Sequence, residues 1–433
     1  MHAPSRMLRV ILPLMVLVAA LTLRPAVAQQ AIRLLGEPVE ENKFPEGILF
    51  TLQAESATEI KEVRFRYTFL PENRSSSANA EFEPGTRVAA TFNMRSALGR
   101  QYIPPGKSLR YTWELRDAAG NELTTPPRET AFNDPRFEWK AARDGNVTVN
   151  YYRGTQRDAE VMALVARETI EKAGALMGVT LDFPIKIWNY ANRRDFQIAL
   201  AHESVGSDPG VLGQAHEPDT FIMVVEQADR LASPSALDTA RHELTHLVTA
   251  RATSRGPYQG LYPSWLNEGT SVFLQVSPND VGYIDALEKA IKEDRVVPLK
   301  SLTAGTRNRD VGLFYGEGYS VVKFLVDTHG AAKFARMIDA FNTTGQLDEA
   351  FKQAFGTDVD GVYRGWRERI GLNPEQTRPA PAPDTATPKA ASGSGGNTTL
   401  VVIAGSLAML LLLGAAVAGG VLLARRAGRA GEA

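Results

Sequence analysis

The chain has 433 residues, enough for two or three domains, and its 48 basic and 49 acidic residues give a net charge of −1. This balance gives no indication of a nucleic-acid partner or a polyanionic substrate. Cysteine is absent from the sequence, which excludes disulfides and thiolate metal ligands, so packing must stabilise the fold.

The first 28 residues have the pattern of a secretory signal peptide. Arg6 and Arg9 give a positively charged start, and residues 10–23 form an apolar run. Residues 26–28, with the sequence A-V-A, match a cleavage site. An uncleaved membrane anchor is the alternative interpretation of the same residues. Both interpretations predict that the rest of the chain is exported from the cytoplasm.

Residues 30–135 are predicted to form an all-β domain. Alternating apolar residues between 60 and 70 indicate a half-buried strand, and residues 117–121 (D-A-A-G-N) are typical of a hairpin turn. Several short strands separated by such turns favour an immunoglobulin- or fibronectin-like β-sandwich. The region has no cluster of charged or histidine residues, so we expect it to be a spacer or an interaction module.

Residues 136–372 are predicted to form a mixed domain. Strands and helices alternate up to a helix that starts at Ser233-Pro234, a pair typical of an N-cap followed by the first helical position. The residues after 268 are mostly helical. The predicted fold class is therefore α+β, with a β-sandwich followed by a domain whose C-terminal half is helical.

The helix after Pro234 contains the sequence H-E-L-T-H at residues 242–246. Residues four apart share one face of a helix, so His242 and His246 can direct two imidazoles at one metal ion. Glu243, beside the first of them, is placed to act as a general base. Glu268, 22 positions after His246, can supply the third ligand and leave a fourth tetrahedral position open, as catalytic zinc sites require.

A chance H-E-x-x-H on a surface helix, with Glu268 in an ordinary core segment, is the alternative interpretation. The chain has only six histidines, which makes a chance pair at this spacing less expected. Two further histidines, His202 and His216, are expected to be surface or loop residues, because the three-ligand set is complete without them.

These motifs resemble those of the gluzincin metallopeptidases. H-E-L-T-H with N-E-x-x-S at residues 267–271 is similar to thermolysin, and W-L-N-E-G at 265–269 is similar to the aminopeptidase N group. Together with their surroundings, roughly 137–372, they resemble the bacterial peptidase MA-like domains. The resemblance implies that the two histidines and Glu268 bind Zn²⁺, that Glu243 is the base, and that residues 213–225 form an edge strand along the substrate cleft.

The resemblance has one departure and one extension. Thermolysin-type enzymes carry an aspartate after N-E-x-x-S that orients a ligand histidine, whereas this chain has Val272. In aminopeptidase N-like enzymes a tyrosine in a Y-x-x-G pattern hydrogen-bonds the oxyanion, and Tyr315 begins such a pattern 47 positions after Glu268. This spacing is shorter than in those enzymes. Tyr319, one helical turn on, is the competing candidate, and a purely structural role for Tyr315 is a third possibility.

The C-terminal residues are predicted to anchor the protein in a membrane. Residues 373–398 are rich in proline, glycine and serine and are expected to form an extended stalk. Residues 400–424 carry no charge. This run of 25 residues is long enough to cross a bilayer, and a transmembrane helix is predicted at 399–424. Arginines in the tail, 425–433, predict that it lies in the cytoplasm. We therefore expect a single-pass type I protein of the cell membrane with its metal motif outside the cell.

Two functions fit this pattern. The first is a membrane-anchored extracellular zinc-dependent peptidase that hydrolyses peptide bonds in a protein or peptide substrate. The second is a non-catalytic surface binding protein with a metal-stabilised or degenerate peptidase domain. The presence of Glu243 favours the first, because a structural metal site has no need of a base. Endopeptidase and aminopeptidase activity both remain open, as does the oligomeric state.

Overall fold

A computed structural model describes residues 31–95, 102–200, 212–216, 218–225, 230–276, 282–303, 305, 307 and 310–376. The predicted signal peptide, most of the stalk, the predicted transmembrane helix and the tail lie outside these residues, as does His202. Within the described ranges, no helix combines the length and the apolar character needed to cross a membrane.

The N-terminal region is built of strands, as predicted. Eight strands form one sheet: β1 Ile32–Leu34, β2 Val39–Asn42, β3 Gly47–Leu70, β4 Arg74–Asn79, β5 Gly85–Arg95, β6 Lys107–Asp117, β7 Glu122–Thr124 and β8 Arg128–Phe132. β3 has 24 residues and takes part in both halves of the sheet. Its first half pairs with β1, β2 and β5, and its second half pairs with β4 and β6.

The sheet folds over so that its two halves pack against each other. The ring centroids of Phe50 and Phe65, both in β3, are only 4.6 Å apart. A straight strand between them would span about 50 Å, so β3 must turn back, and its register shifts between Glu55 and Ile60. The predicted immunoglobulin- or fibronectin-like sandwich of two sheets is not confirmed, because all eight described strands are hydrogen-bonded into one sheet through β3.

A second sheet has five strands: β9 Lys140–Asp144, β10 Val147–Tyr151, β11 Ile185–Tyr190, β12 Gly213–His216 and β13 Thr220–Val224. Their order in the sheet is β12-β13-β11-β10-β9. The three central strands are parallel and the two edge strands are antiparallel to their neighbours. Parallel strands need a crossover helix, and α1 Gln156–Met177 supplies it between β10 and β11. The short helix α2 Arg193–Ala199 follows β11. Residues 213–225 are therefore two strands rather than the single edge strand expected, and β12 is the edge.

The helical half follows the second sheet, as predicted. Its first helix begins at Pro234, where the Ser233 hydroxyl accepts a hydrogen bond from the backbone N–H of Ala236. The helices are α3 Pro234–Thr253, α4 Ser264–Phe273, α5 Tyr283–Lys292, α6 Val311–His329, α7 Ala331–Thr344, α8 Leu347–Phe355 and α9 Val359–Arg369. Apolar residues from these helices, α1 and the second sheet form one continuous core. That core encloses α3 on most sides.

The two sheets are joined through buried polar contacts at the start of β6. Lys107 Nζ lies 2.7 Å from Glu72 Oε1 and 3.1 Å from Asp219 Oδ1, and Lys107 and Asp219 are both buried. Lys186 Nζ, from β11, donates to the Gly106 carbonyl oxygen at 2.5 Å. An added Cβ at Gly106 would lie 2.4 Å from Trp188 Nε1, so only glycine fits there. The N-terminal domain therefore contacts the second sheet directly.

The prediction that His216 is a surface or loop residue is wrong, because its side chain is buried. It ends β12, is 8% exposed, and its ring centroid is 4.7 Å from that of Tyr102 in the N-terminal domain. Burial, with a smaller contribution from the positive charge of Lys107, lowers the pKa of His216 to about 3. The side chain is therefore a neutral packing residue between the two domains.

Candidate metal centre

Helices α3 and α4 bring His242, His246 and Glu268 together. The two histidines lie one turn apart on the face of α3 that meets α4, and Glu268 lies in the middle of α4. All three side chains are buried, with exposures of 0%, 3% and 3%. Their candidate ligand atoms all lie within 4.8 Å of one another.

The spacing between Glu268 and each of the two histidines suits a tetrahedral metal ion. Glu268 Oε2 lies 3.1 Å from His242 Nε2 and 3.4 Å from His246 Nε2. Zinc bonds to nitrogen and oxygen of about 2.0–2.1 Å in tetrahedral geometry would place two ligand atoms about 3.3 Å apart. His246 Nε2 is buried and has no hydrogen-bond partner among the described residues. The site therefore has the donor set and the spacing of a two-histidine, one-carboxylate metal centre.

The charges at the centre are those of a cation site. Burial disfavours a proton on His246, but the charge and hydrogen bond of Glu268, together with the charge of Glu243, outweigh burial and raise the pKa of His246 to about 9. Burial likewise opposes ionisation of Glu268, yet His246 and His242 hold the pKa of its carboxyl well below the usual range. The two opposite shifts mean that this buried site favours a positive charge beside Glu268, which a bound cation would supply.

Asn267 and Ser271 hold the second histidine in place. His246 Nδ1 lies 3.0 Å from Asn267 Oδ1 and 3.2 Å from Ser271 Oγ. Because a carbonyl oxygen can only accept, Nδ1 carries the proton and Nε2 presents its lone pair to the centre. Sequence analysis identified no hydrogen-bond partner for the ligand histidines, although Asn267 and Ser271 are the first and last residues of the N-E-x-x-S motif. His242 Nδ1 has no hydrogen-bond partner among the described residues, and Val272 has no polar atom to provide one.

Glu243 lies beside the centre against the edge strand β12. An added Cβ at Gly213 would lie 2.7 Å from Glu243 Cγ, so the strand can pass this close only with glycine there. The Glu243 side chain is fully buried, and no described side chain donates a hydrogen bond to its carboxylate, which faces the backbone N–H of Ala215 in β12. Burial raises the pKa of Glu243, although the charges of His246 and His242 oppose the rise. Such a carboxylate is a stronger base than an exposed one.

Two glycines bring Tyr315 to the centre by allowing α4 and α6 to touch. An added Cβ at Gly269 would lie 2.4 Å from the Gly318 carbonyl oxygen, and one at Gly318 would lie 2.7 Å from the Trp265 carbonyl oxygen. At this crossing Tyr315 is fully buried, with its ring centroid 6.1 Å from that of His242. Tyr319 is half-buried and packs at the border of the core. The structure therefore places Tyr315, and not Tyr319, among the site residues.

We expect Tyr315→Phe to lower kcat by roughly 10²–10³ with little change in KM, because an oxyanion hydrogen bond forms mainly in the transition state. Steady-state kinetics on a cleaved peptide, together with the metal content of the variant, would measure the effect. Tyr319→Phe is the matched control and should retain nearly full activity. The opposite pattern, with the loss in Tyr319→Phe alone, would exclude Tyr315 as the oxyanion donor.

Two site residues were missed by the sequence patterns. Arg307 Nη1 lies 3.5 Å from Glu268 Oε1, and its guanidinium carbon lies 5.4 Å from the centroid of the Tyr315 ring. Tyr283, at the start of α5, stacks on Tyr315 with ring centroids 4.9 Å apart. Neither residue belongs to a spaced motif, so no local signal could have identified it.

Comparison with known proteins gives one family and several weak structural similarities. Residues 165–371 match the family model described as the peptidase MA superfamily, a little under half of the chain. A search of curated protein sequences finds no significant match.

Among solved structures, a mutant M1 zinc metallopeptidase from Deinococcus radiodurans bound to a Tyr-Ser-Ala substrate is 13% identical, with a TM-score of 0.36. The similarity covers 78% of this chain and 92% of that one. The M1 zinc metallopeptidase from the same organism without that substrate is 11% identical with a TM-score of 0.36, over 79% and 93% of the two chains. Because these TM-scores are low, the similarity to the peptidase MA superfamily rests on the family model and on the geometry of the candidate metal centre.

Proposed function

We propose that this chain, whose residues 165–371 form a gluzincin-type domain of the peptidase MA superfamily, is a zinc-dependent peptidase. One observation carries the proposal. The ligand atoms of His242, His246 and Glu268 converge directly beside the buried carboxylate of Glu243, to which no described side chain donates a hydrogen bond. A purely structural metal site would not need that carboxylate, because burying a carboxylate without a paired side chain is costly.

The side chains have separate roles in this reaction. Zinc, when bound, would act as a Lewis acid toward the scissile carbonyl and would lower the pKa of water. Glu243 takes the proton from the attacking water and later delivers it to the leaving amine. Tyr315 donates a hydrogen bond to the oxyanion that develops on the carbonyl. Asn267 keeps His246 in the tautomer and orientation that the centre requires.

The direct test is digestion of a diverse peptide library by the purified protein, before and after removal of its metal by a chelator. We expect cleavage that disappears with the metal and returns when zinc is added back. No cleavage by the zinc-loaded protein over the whole library would favour the non-catalytic binding protein instead. The cleavage positions would also decide between the endopeptidase and aminopeptidase alternatives.

We also propose that the protein is exported and tethered to the cell membrane, with the metal centre outside. The support comes from sequence: the signal-like residues 1–28, the uncharged run 400–424 and the arginines that follow it. An external protease applied to intact cells is expected to cut within 373–398 and to release a soluble fragment with the peptidase domain. Recovery of the whole protein in the cytosol, or full protection from the protease, would contradict this topology.

A further inference from the structure

Arg307 and Tyr283 are buried hydrogen-bond donors that the reaction described above does not use. Arg307 is 8% exposed and Tyr283 is 2% exposed. Among the described residues, neither Arg307 Nη1 nor the Tyr283 hydroxyl has a hydrogen-bond partner. Buried polar groups in folded proteins are nearly always hydrogen-bonded, so two such donors beside one site indicate a ligand that accepts hydrogen bonds.

Both donors border the place where a substrate would react. Arg307 Nη1 lies 3.5 Å from Glu268 Oε1, the carboxylate oxygen that does not point at the two histidines. The Arg307 guanidinium and the Tyr283 ring both pack against Tyr315, at 5.4 Å and 4.9 Å from the centroid of its ring. A substrate group that contacts these donors would therefore lie close to the scissile bond.

The charges at the metal centre indicate which substrate group would contact Arg307 and Tyr283. A divalent cation would neutralise Glu268 and Glu243 together, which leaves the buried Arg307 guanidinium with only the Glu268 carboxylate, shared with the cation, and the face of the Tyr315 ring as partners. A buried charge that is incompletely compensated is unfavourable. A carboxylate would neutralise it and could accept hydrogen bonds from both Arg307 and Tyr283. A substrate ammonium group would instead add a second positive charge, so the site disfavours recognition of a peptide N-terminus.

We propose that Arg307 and Tyr283 form a subsite for the free C-terminal carboxylate of a short peptide. This inference rests on the proposed peptidase function and specifies its substrate class. The guanidinium fixes the carboxylate, and the Tyr283 hydroxyl donates a second hydrogen bond to it. The bond that is cleaved then lies near the C-terminal end of the substrate, because the subsite is adjacent to the metal ligand Glu268.

Equilibrium binding to a non-hydrolysing variant tests the subsite separately from catalysis. The zinc-loaded Glu243→Gln protein is titrated by calorimetry with N-acetyl-tri-alanine and with the same peptide as its C-terminal amide. Acetylation removes the ammonium group, so the two probes differ only in the carboxylate. We expect the acid to bind roughly 10- to 100-fold more tightly than the amide, the range for hydrogen bonds to a charged group.

Three further variants in the same background assign this preference to residues. Arg307→Met should abolish the preference for the acid, Arg307→Lys should retain part of it, and Tyr283→Phe should weaken it by less than Arg307→Met does. Arg336→Met, which removes an exposed arginine on α7, is the matched control and should leave the preference unchanged. Elemental analysis of each variant shows whether zinc is still bound.

Two results would overturn the subsite. Equal affinity of the Glu243→Gln protein for acid and amide is the first. The second is an acid preference that survives in Arg307→Met, because the guanidinium would then not hold the carboxylate. A fall in the zinc content of that variant would show in addition that Arg307 only positions Glu268. Library cleavage with equal binding of the two probes would leave the peptidase proposal standing without the subsite. Acid-selective binding without any cleavage would support the carboxylate subsite and contradict the peptidase proposal.

Discussion

A Glu243→Gln variant is expected to hydrolyse peptides on the order of 10²- to 10⁴-fold more slowly than the wild-type protein, the usual cost of removing a general base. Glutamine has nearly the same size and polarity, but it cannot accept a proton at neutral pH. Glu243 is not one of the three convergent ligands, so zinc content should not change. Because no described side chain is paired with the carboxylate, and the amide oxygen of glutamine can still accept a hydrogen bond from the backbone, its replacement should also leave the melting temperature nearly unchanged.

The chain offers a matched control for this change. Glu317, also fully buried, accepts a hydrogen bond from the Val297 backbone N–H at 2.7 Å. Burial raises the pKa of Glu317 well above its ordinary value, so the environment favours the neutral form and glutamine, which is neutral, is a mild replacement there. Glu317→Gln should therefore retain activity. Equal loss in both variants would indicate general damage to the core, and equal inertness of wild type and Glu243→Gln would remove the case for an enzyme.

Alanine at His242, His246 or Glu268 is expected to reduce bound zinc from about one ion per chain to a small fraction, and hydrolysis with it. Each substitution removes one of only three protein ligands, and the two ligands that remain cannot hold the ion in this geometry. Elemental analysis of the purified variants measures the loss directly. Stoichiometric zinc in all three variants would show that the ion is bound elsewhere.

Two other substitutions make this test quantitative. Asn267→Ala removes the acceptor at His246 Nδ1 and should weaken zinc binding about 10- to 100-fold without abolishing it, as is usual for groups that orient a ligand. His329→Ala removes a histidine at the C-terminal end of α6, outside the candidate ligand group, and should retain full zinc content. A loss in His329→Ala equal to that in the ligand variants would indicate destabilisation instead of ligand removal.

The metal residues could be predicted from sequence because helix geometry alone fixes how His242 and His246 are related. Any helix places residues four apart on one face, and α3 does so here. The contribution of Arg307 could not be predicted, because it depends on how separate segments pack. Its position beside Glu268 depends on how the segment before α6 packs against α4, which no spacing rule encodes.

The fold of the N-terminal domain shows a similar limit. Alternation of apolar residues correctly indicates strands, but the same alternation continues through both halves of β3. The pattern therefore does not reveal that the strand turns back and joins both layers into one sheet. His216 was assigned to the surface for a related reason. Tyr102, the residue that covers it, is 114 positions earlier in the chain.

The contact between Lys107 and Asp219 makes two distant parts of the chain depend on each other's sequence. The residues are 112 positions apart in the sequence, yet both side chains are buried against each other where the two sheets meet. Loss of either charge leaves the other buried with one partner fewer, since Lys107 retains Glu72 and Asp219 retains Lys186, and so destabilises the folded protein. Recombination that exchanged only the N-terminal domain between related genes would separate this pair, so the two regions should be inherited together.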